Sequence, residues 1–142
     1  MRHTFYEIVE KAVSLPRKEA IAWLQQNDTK PLRQILRFIY DPKLEIMLPN
    51  SMPPLKVNPT PEEELMFVIF NEARRLRIFI KGGGYDGLNQ MKREALFCEI
   101  LDNVHIKDAE LLGHGLTRKP IKGLTEKMLL EAFPDLFQTP YA

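Results

Sequence analysis

Apolar residues recur along most of the chain at helical spacing. Phe5, Ile8, Val9, Ala12 and Val13 fall at i, i+3, i+4, i+7 and i+8, which is one face of a helix over 4–14. Pro16 suits the first turn of a second helix, which Ala20, Ile21 and Leu24 carry to Asn27. With Asp28 or Thr29 as cap and Pro31 near the start, Leu32, Ile35, Leu36, Ile39 and Tyr40 repeat the pattern in a third helix. Asp41-Pro42 ends it, because the residue before a proline is pushed out of the α region.

Residues 41–59 contain Pro42, Pro49, Pro53, Pro54 and Pro59 with little periodicity, which predicts an ordered, irregular crossing over the surface and no domain boundary. Thr60-Pro61-Glu62-Glu63 has the form of a capping box. The helix it opens, over 60–81, is apolar nearly all round at Leu65, Met66, Phe67, Val68, Ile69 and Phe70, so it is expected to be the most buried. Phe67, Ile69, Leu76, Leu96 and Phe133 are expected to share its core.

Gly82, Gly83 and Gly84 stop that helix, and Leu88, Met91, Ala95, Leu96 and Ile100 mark a fifth that ends near Asn103. A short sixth covers 106–112. The last has Thr125 as N-cap, Leu124 and Leu129 placed as a hydrophobic staple, and an end at Phe133-Pro134. No segment sustains period-two alternation. The prediction is an all-α protein, one irregular bundle of about seven helices filling a single domain over 1–142.

A chain of 142 residues with 44% hydrophobic content can bury a core without cross-links. Its one cysteine, Cys98, lies in an apolar run and reads as a small core residue, which suits a reducing cytoplasm. No stretch approaches the roughly 18 apolar residues of a membrane span, and no secretory segment opens the chain, so neither export nor membrane insertion is expected. Twenty Lys and Arg against nineteen Asp and Glu leave a net charge of +1, so any binding to nucleic acid must come from a local patch.

The search for chemistry yields little. His3, His105 and His114 are widely separated and match no metal-ligand spacing, no cofactor motif is present, and Cys98 has the surroundings of an inert thiol. Lys81-Gly82-Gly83-Gly84-Tyr85-Asp86-Gly87 follows a helix where a phosphate-binding loop follows a strand; it reads as a helix stop and turn, or as a backbone contact to a nucleic-acid phosphate. Glu62, Glu63 and Glu64 read as first-turn acids. What remains is basic: Arg118, Lys119, Lys122 and Lys127 flank Gly123 and the Thr125 cap, where free backbone N–H groups favour an anion. This is either a solvated cationic surface or a phosphate site.

The segment Ile121-Lys122-Gly123-Leu124-Thr125-Glu126-Lys127-Met128-Leu129-Leu130-Glu131-Ala132-Phe133-Pro134-Asp135 resembles the final helix of the helical DNA-binding domain of ATP-dependent DNA ligases. Residues 108–137 align without a gap on the end of the compact phage version, matching at Asp108, Glu110, Leu112, Arg118, Gly123, Pro134 and Leu136. Residues 17–40 are similar to the ligase helix–turn–helix through Leu32, Arg33, Ile35, Arg37 and Tyr40. The chain also resembles a group of small tailed-phage proteins sharing Tyr40-Asp41-Pro42, Ala109-Glu110-Leu111-Leu112 and Lys122-Gly123-Leu124-Thr125.

The ligase resemblance implies sequence-independent grip on duplex DNA, nicked or intact, through the minor groove and backbone. Ligation by this chain alone is excluded, because the adenylated lysine needs Lys-x-Asp-Gly and Lys81 is followed by three glycines. The implied role is a non-catalytic phage replication or repair accessory acting in the host cytoplasm through Arg118, Lys119, Lys122, Gly123, Thr125 and Lys127, extended by Lys81, Gly82, Gly83 and Gly84. The alternative is a protein of the same fold that binds a host or phage protein, such as a polymerase or defence enzyme, through the 41–59 crossing or the acids at 62–64.

Overall fold

The computed structural model describes residues 2–141, and they are all-helical, in seven helical stretches. In chain order these are α1 (Phe5–Ser14), α2 (Arg17–Gln26), α3 (Lys30–Tyr40), a broken stretch made of α4 (Glu62–Leu65), α5 (Val68–Glu72) and a 3-10 segment (Ala73–Phe79), then α6 (Gln90–Asn103), α7 (Ile106–Thr117) and α8 (Glu126–Ala132). A short 3-10 turn, Leu136–Gln138, follows. Among the described residues the only β-type pairing is one isolated antiparallel bridge between Ile46 and Ile80.

The first three helices and the last begin and end where the sequence places them. Thr29 caps α3, its hydroxyl accepting from the Leu32 N–H at 3.3 Å, and Thr125 caps α8, accepting from the Met128 N–H at 3.2 Å. Leu124 and Leu129, the two ends of the predicted staple, are both fully buried. The N-terminal helix has a cap that the periodicity did not reveal: the Thr4 N–H donates to the Glu7 carboxylate at 3.0 Å.

The central helix is α3, not the stretch at 60–81. Leu32, Gln34, Ile35, Leu36, Phe38, Ile39 and Tyr40 are all buried, and α3 packs on α5, the 3-10 segment and α7. The 60–81 stretch is not one helix. It breaks at Met66 and Phe67, where the Met66 carbonyl accepts from the Thr4 hydroxyl, and after Glu72 it tightens to 3-10 geometry. The reason lies in the spacing: Ala73, Leu76 and Phe79 are three apart, and a three-residue turn stacks them in one line against the core, where all three are buried. The predicted box at 60–63 is not formed either; Pro61 stands at the N-cap of a four-residue helix without a side-chain cap.

Two further expectations are corrected. Phe67 and Leu96 are only half-buried, and the buried face of α6 runs through Arg93, Phe97, Ile100 and Leu101, leaving Met91 82% exposed. The sixth helix continues past 112 to Thr117, because Gly113 and Gly115 serve close packing and do not stop it. A Cβ on Gly115 would lie 2.4 Å from the Phe38 ring, and one on Gly113 would lie 2.9 Å from the Met52 sulfur. The irregular crossing is tied down by the Met47 N–H to the Phe79 carbonyl at 2.7 Å, the Lys81 N–H to the Glu45 carbonyl at 2.9 Å and the Asn58 amide to the Asp102 carbonyl at 2.7 Å.

Gly115→Ala is expected to destabilise the protein. Overpacking against Phe38 costs about 1–3 kcal/mol, set against about 1 kcal/mol gained in helix propensity. Gly87→Ala, whose added Cβ meets open space, should change the stability read from denaturant unfolding by less than about 0.5 kcal/mol. Equal midpoints for the two variants would show that α3 and α7 are not packed this closely.

Candidate nucleic-acid interface

The segment between α7 and α8 is held from below. Tyr40, at the end of α3, donates its hydroxyl to the Leu124 carbonyl at 2.5 Å and accepts from the Ile121 N–H at 3.0 Å. Burial pushes the Tyr40 phenol up to about 12, so it stays a donor at any physiological pH. Ile121 and Leu124 are buried, and the Lys119 carbonyl lies 3.0 Å from Nδ1 of His114. The turn is thus fixed at several points along its length.

Arg118 belongs to that support. It sits in the left-handed region at φ 58°, as the C-cap of α7, and its guanidinium donates to the carbonyls of Phe38 at 2.9 Å, Gly115 at 3.2 Å and Asp41. These are the C-terminal carbonyls of α3 and α7, which have no partner within their own helices. Desolvation lowers the Arg118 pKa, with Asp41 acting in the opposite sense.

Lys119, Lys122 and Lys127 are exposed and form no ion pair among the described residues. Gly123, between them, has φ +85°, and an added Cβ would come within 3.2 Å of the Val13 side chain. Glycine is therefore required there by backbone conformation. The seven-residue α8 has only a short dipole, and Thr125 already fills the Met128 donor.

The glycine turn is self-satisfied. The Gly82 N–H donates to both carboxylate oxygens of Asp86, at 2.9 and 3.0 Å, so an internal anion occupies the place a phosphate would take. Gly83 has no room for a side chain, since a Cβ would lie 2.1 Å from the Arg77 carbonyl, while Gly82 and Gly84 both adopt positive φ. Lys81 pairs with Glu45 at 3.4 Å. Glu45 in turn lines an open cleft of about 700 Å³ together with Arg118, Pro120, Thr125 and Glu126. Through Glu45 the two predicted regions border one cleft, but the cleft itself carries two acids, Glu45 of the crossing and Glu126 of α8.

Sequence reasoning did not find Tyr40 as the clamp of this turn; its place at the end of an amphipathic run gave only a core assignment. It also gave no role to His105, whose Nδ1 accepts from the Lys107 N–H at 3.0 Å and whose Nε2 lies 2.6 Å from Glu62. The first bond leaves the proton on Nε2, so both ring nitrogens are committed to capping α7 and fixing α4. Asp108, one of the ligase-matched positions, is fully buried and accepts the Tyr6 N–H at 2.9 Å, while its other oxygen has no partner. Burial pushes its carboxyl up to about 7, against the pull of the Tyr6 N–H and the Thr4 side chain. With Leu112 and Leu136 also buried, several of the matched positions are framework.

The chain belongs to the family described as a family of unknown function (DUF6433), whose model matches residues 6–119. The match takes in Tyr6, Tyr40, Asp108, Arg118 and Lys119 and ends before Lys122, Gly123, Thr125 and Lys127. No curated protein and no solved structure matches the chain.

Two measurements check the framework. Because the folded Asp108 carboxyl holds its proton to about 7 whereas an unfolded one releases it near 3.8, folding binds a proton between those values. Its contribution to stability therefore falls as pH rises through that window and levels off above it. Asp108→Asn should flatten the dependence of Tm on pH between about 4 and 7 relative to the parent and raise Tm at pH 8; an unchanged profile would show the carboxyl to be ionised in the fold. Arg118→Gly, which relieves the left-handed backbone, should still cost about 1–3 kcal/mol through the abandoned carbonyls, read from chemical denaturation. A neutral result would show that solvent satisfies them.

Proposed function

We propose that this member of the DUF6433 family is a non-catalytic protein that binds duplex DNA without reading sequence, through the turn carrying Lys119 and Lys122 and the first turn of α8 carrying Lys127. The observation that carries this reading is that the three lysines are exposed, make no ion pair among the described residues, and stand either on a turn anchored by buried hydrogen bonds, as Lys119 and Lys122 do, or on the capped helix that follows it, as Lys127 does. Cations presented by a fixed turn need little further ordering of the backbone, and each phosphate they neutralise releases counterions. The resemblance of 108–137 to the ligase DNA-binding domain supports the same reading and points to backbone and minor-groove contact. A place in phage replication or repair, in the host cytoplasm, is part of the proposal and rests on sequence resemblance alone.

In this reading Arg118 and Gly82 serve the framework, since the Arg118 guanidinium donates to three carbonyls and the Gly82 N–H to Asp86. Gly123 offers close backbone approach, but its positive φ makes it a poor probe, because any side chain there strains the turn before DNA is involved.

A second reading, binding of a partner protein, is favoured by one observation. Val57 is 88% exposed and Ile106 43% exposed, and both line a cleft of about 310 Å³ with Leu55, Leu65 and Leu101 between the crossing and α7. No described helix is long and apolar enough to cross a membrane.

Fluorescence anisotropy with unrelated duplexes of equal length should give similar affinities, with a log–log salt slope of about three, roughly 0.9 for each of three phosphates. Lys119→Ala, Lys122→Ala and Lys127→Ala should each reduce that slope by about one without changing Tm. Absence of binding at low salt, or binding indifferent to salt, would overturn the DNA reading and favour the protein partner.

A further inference from the structure

The 3-10 segment Ala73–Phe79 does more than line the core. It projects Arg74, Arg75 and Arg77 outward, and a recess of about 290 Å³ opens beside them, lined by these three arginines, Ile78, Tyr85 and Tyr141. No acid lines it. By contrast, the clefts of about 700, 380 and 310 Å³ carry Glu45 and Glu126, Asp28, and Glu62 respectively.

The walls are ordered. Tyr141 is buried and donates its hydroxyl to the Gln34 carbonyl at 3.0 Å, while Arg77 lies over the Tyr85 ring at 5.3 Å with an N–H 3.4 Å from the Tyr85 hydroxyl. Arg75 is anchored by Glu72 at 2.6 Å. Arg74 is exposed and engages no acid among the described residues. One guanidinium is therefore held by a carboxylate, one by an aromatic ring, and the third faces open solvent. Three cations line one recess that no acid lines, and no described contact requires Arg74 to be basic, so an anion is what the arrangement lacks.

We infer that this recess is a binding site for a phosphate monoester carried on a flat aromatic group, which is the chemistry of a mononucleotide, free or at a single-stranded nucleic-acid end. Planar guanidinium forks match phosphate oxygens in pairs, and a recess of this size is several times the roughly 30 Å³ share of one water, leaving room for a ring beside the phosphate. The partly exposed Tyr85 ring offers that ring a stacking surface beside Ile78, while Tyr141, buried with Arg37 over its ring at 5.6 Å, is part of the wall. The site shares no residue with the lysine turn. Arg74, Arg75, Arg77 and Tyr85 all lie within the family match, unlike Lys122 and Lys127.

The test is calorimetric titration of the full chain with a nucleoside monophosphate, the corresponding nucleoside, and a short single-stranded oligonucleotide with and without a terminal phosphate. The monophosphate should bind and the nucleoside should not. Arg74→Ala should weaken binding about tenfold with Tm unchanged, the loss expected for one charge-assisted contact, and Arg74→Lys should recover only part of it. Tyr85→Leu should weaken binding of the monophosphate while inorganic phosphate binding persists. Oligonucleotide binding that requires the terminal phosphate assigns the natural source to a nucleic-acid end, and monophosphate binding alone assigns it to a free nucleotide. Equal binding of nucleoside and monophosphate, no binding of either phosphorylated ligand, or loss in a Lys119/Lys122/Lys127 triple alanine variant but not in Arg74→Ala would overturn the inference.

Discussion

The C-terminal end of α3 is the constraint on which the rest of the structure depends. A helix ends with carbonyls that have no partner of its own, and at this buried end water does not reach them freely. Arg118 supplies donors to Phe38 and Asp41 and, in the same fork, to Gly115 at the end of α7. The Asp41 carboxylate, 2% exposed, receives Arg37 at 3.0 Å and the Lys43 N–H at 3.0 Å. Tyr40 closes the arrangement by holding both Ile121 and Leu124. One junction thus fixes the end of the central helix, the start of the proline-rich crossing and the path into α8.

That junction explains how surface cations come to be displayed on a turn with no regular structure. A turn rich in lysine would ordinarily sample many conformations, and binding would have to order it. Here its apolar residues, Ile121 and Leu124, are buried and its backbone is bonded to Tyr40, while its lysine side chains extend into solvent. The same economy applies at Arg77 and Tyr85, where a guanidinium is held over a ring instead of over an acid.

Packing between α3 and α7 is the second consequence. Gly115 lets the Phe38 ring lie against the α7 backbone, and Phe38 is itself stacked with Phe97 of α6 at 6.2 Å between centroids. Removing the glycine would push on two helices at once. Asp108, on the same helix, reaches the other way to the α1 backbone through the Tyr6 N–H, at the cost of an oxygen without a partner. A buried carboxyl tolerated on these terms is held neutral more easily than charged, which is why its ordinary acidity is lost.

By itself the sequence determined the helical class, the first three helices, a cap at Asp28 or Thr29, of which the structure chose Thr29, the Thr125 cap, the staple at Leu124 and Leu129 and the stop at Phe133-Pro134, because each depends on neighbours within one or two turns. It also marked the basic stretch from Arg118 to Lys127. The tertiary structure alone decided which helix is central, since the uniformly apolar run at 65–70 names no face and the three-residue spacing of Ala73, Leu76 and Phe79 shows as 3-10 only against α3. It likewise decided that Gly113 and Gly115 continue a helix, because the reason is a ring from another segment. It separated Arg118, turned inward to carbonyls, from Lys119, Lys122 and Lys127, turned outward, though all four read alike as positive charge. And it set Tyr141 beside Arg74, Arg75 and Arg77, a juxtaposition of residues more than sixty positions apart that no local pattern encodes.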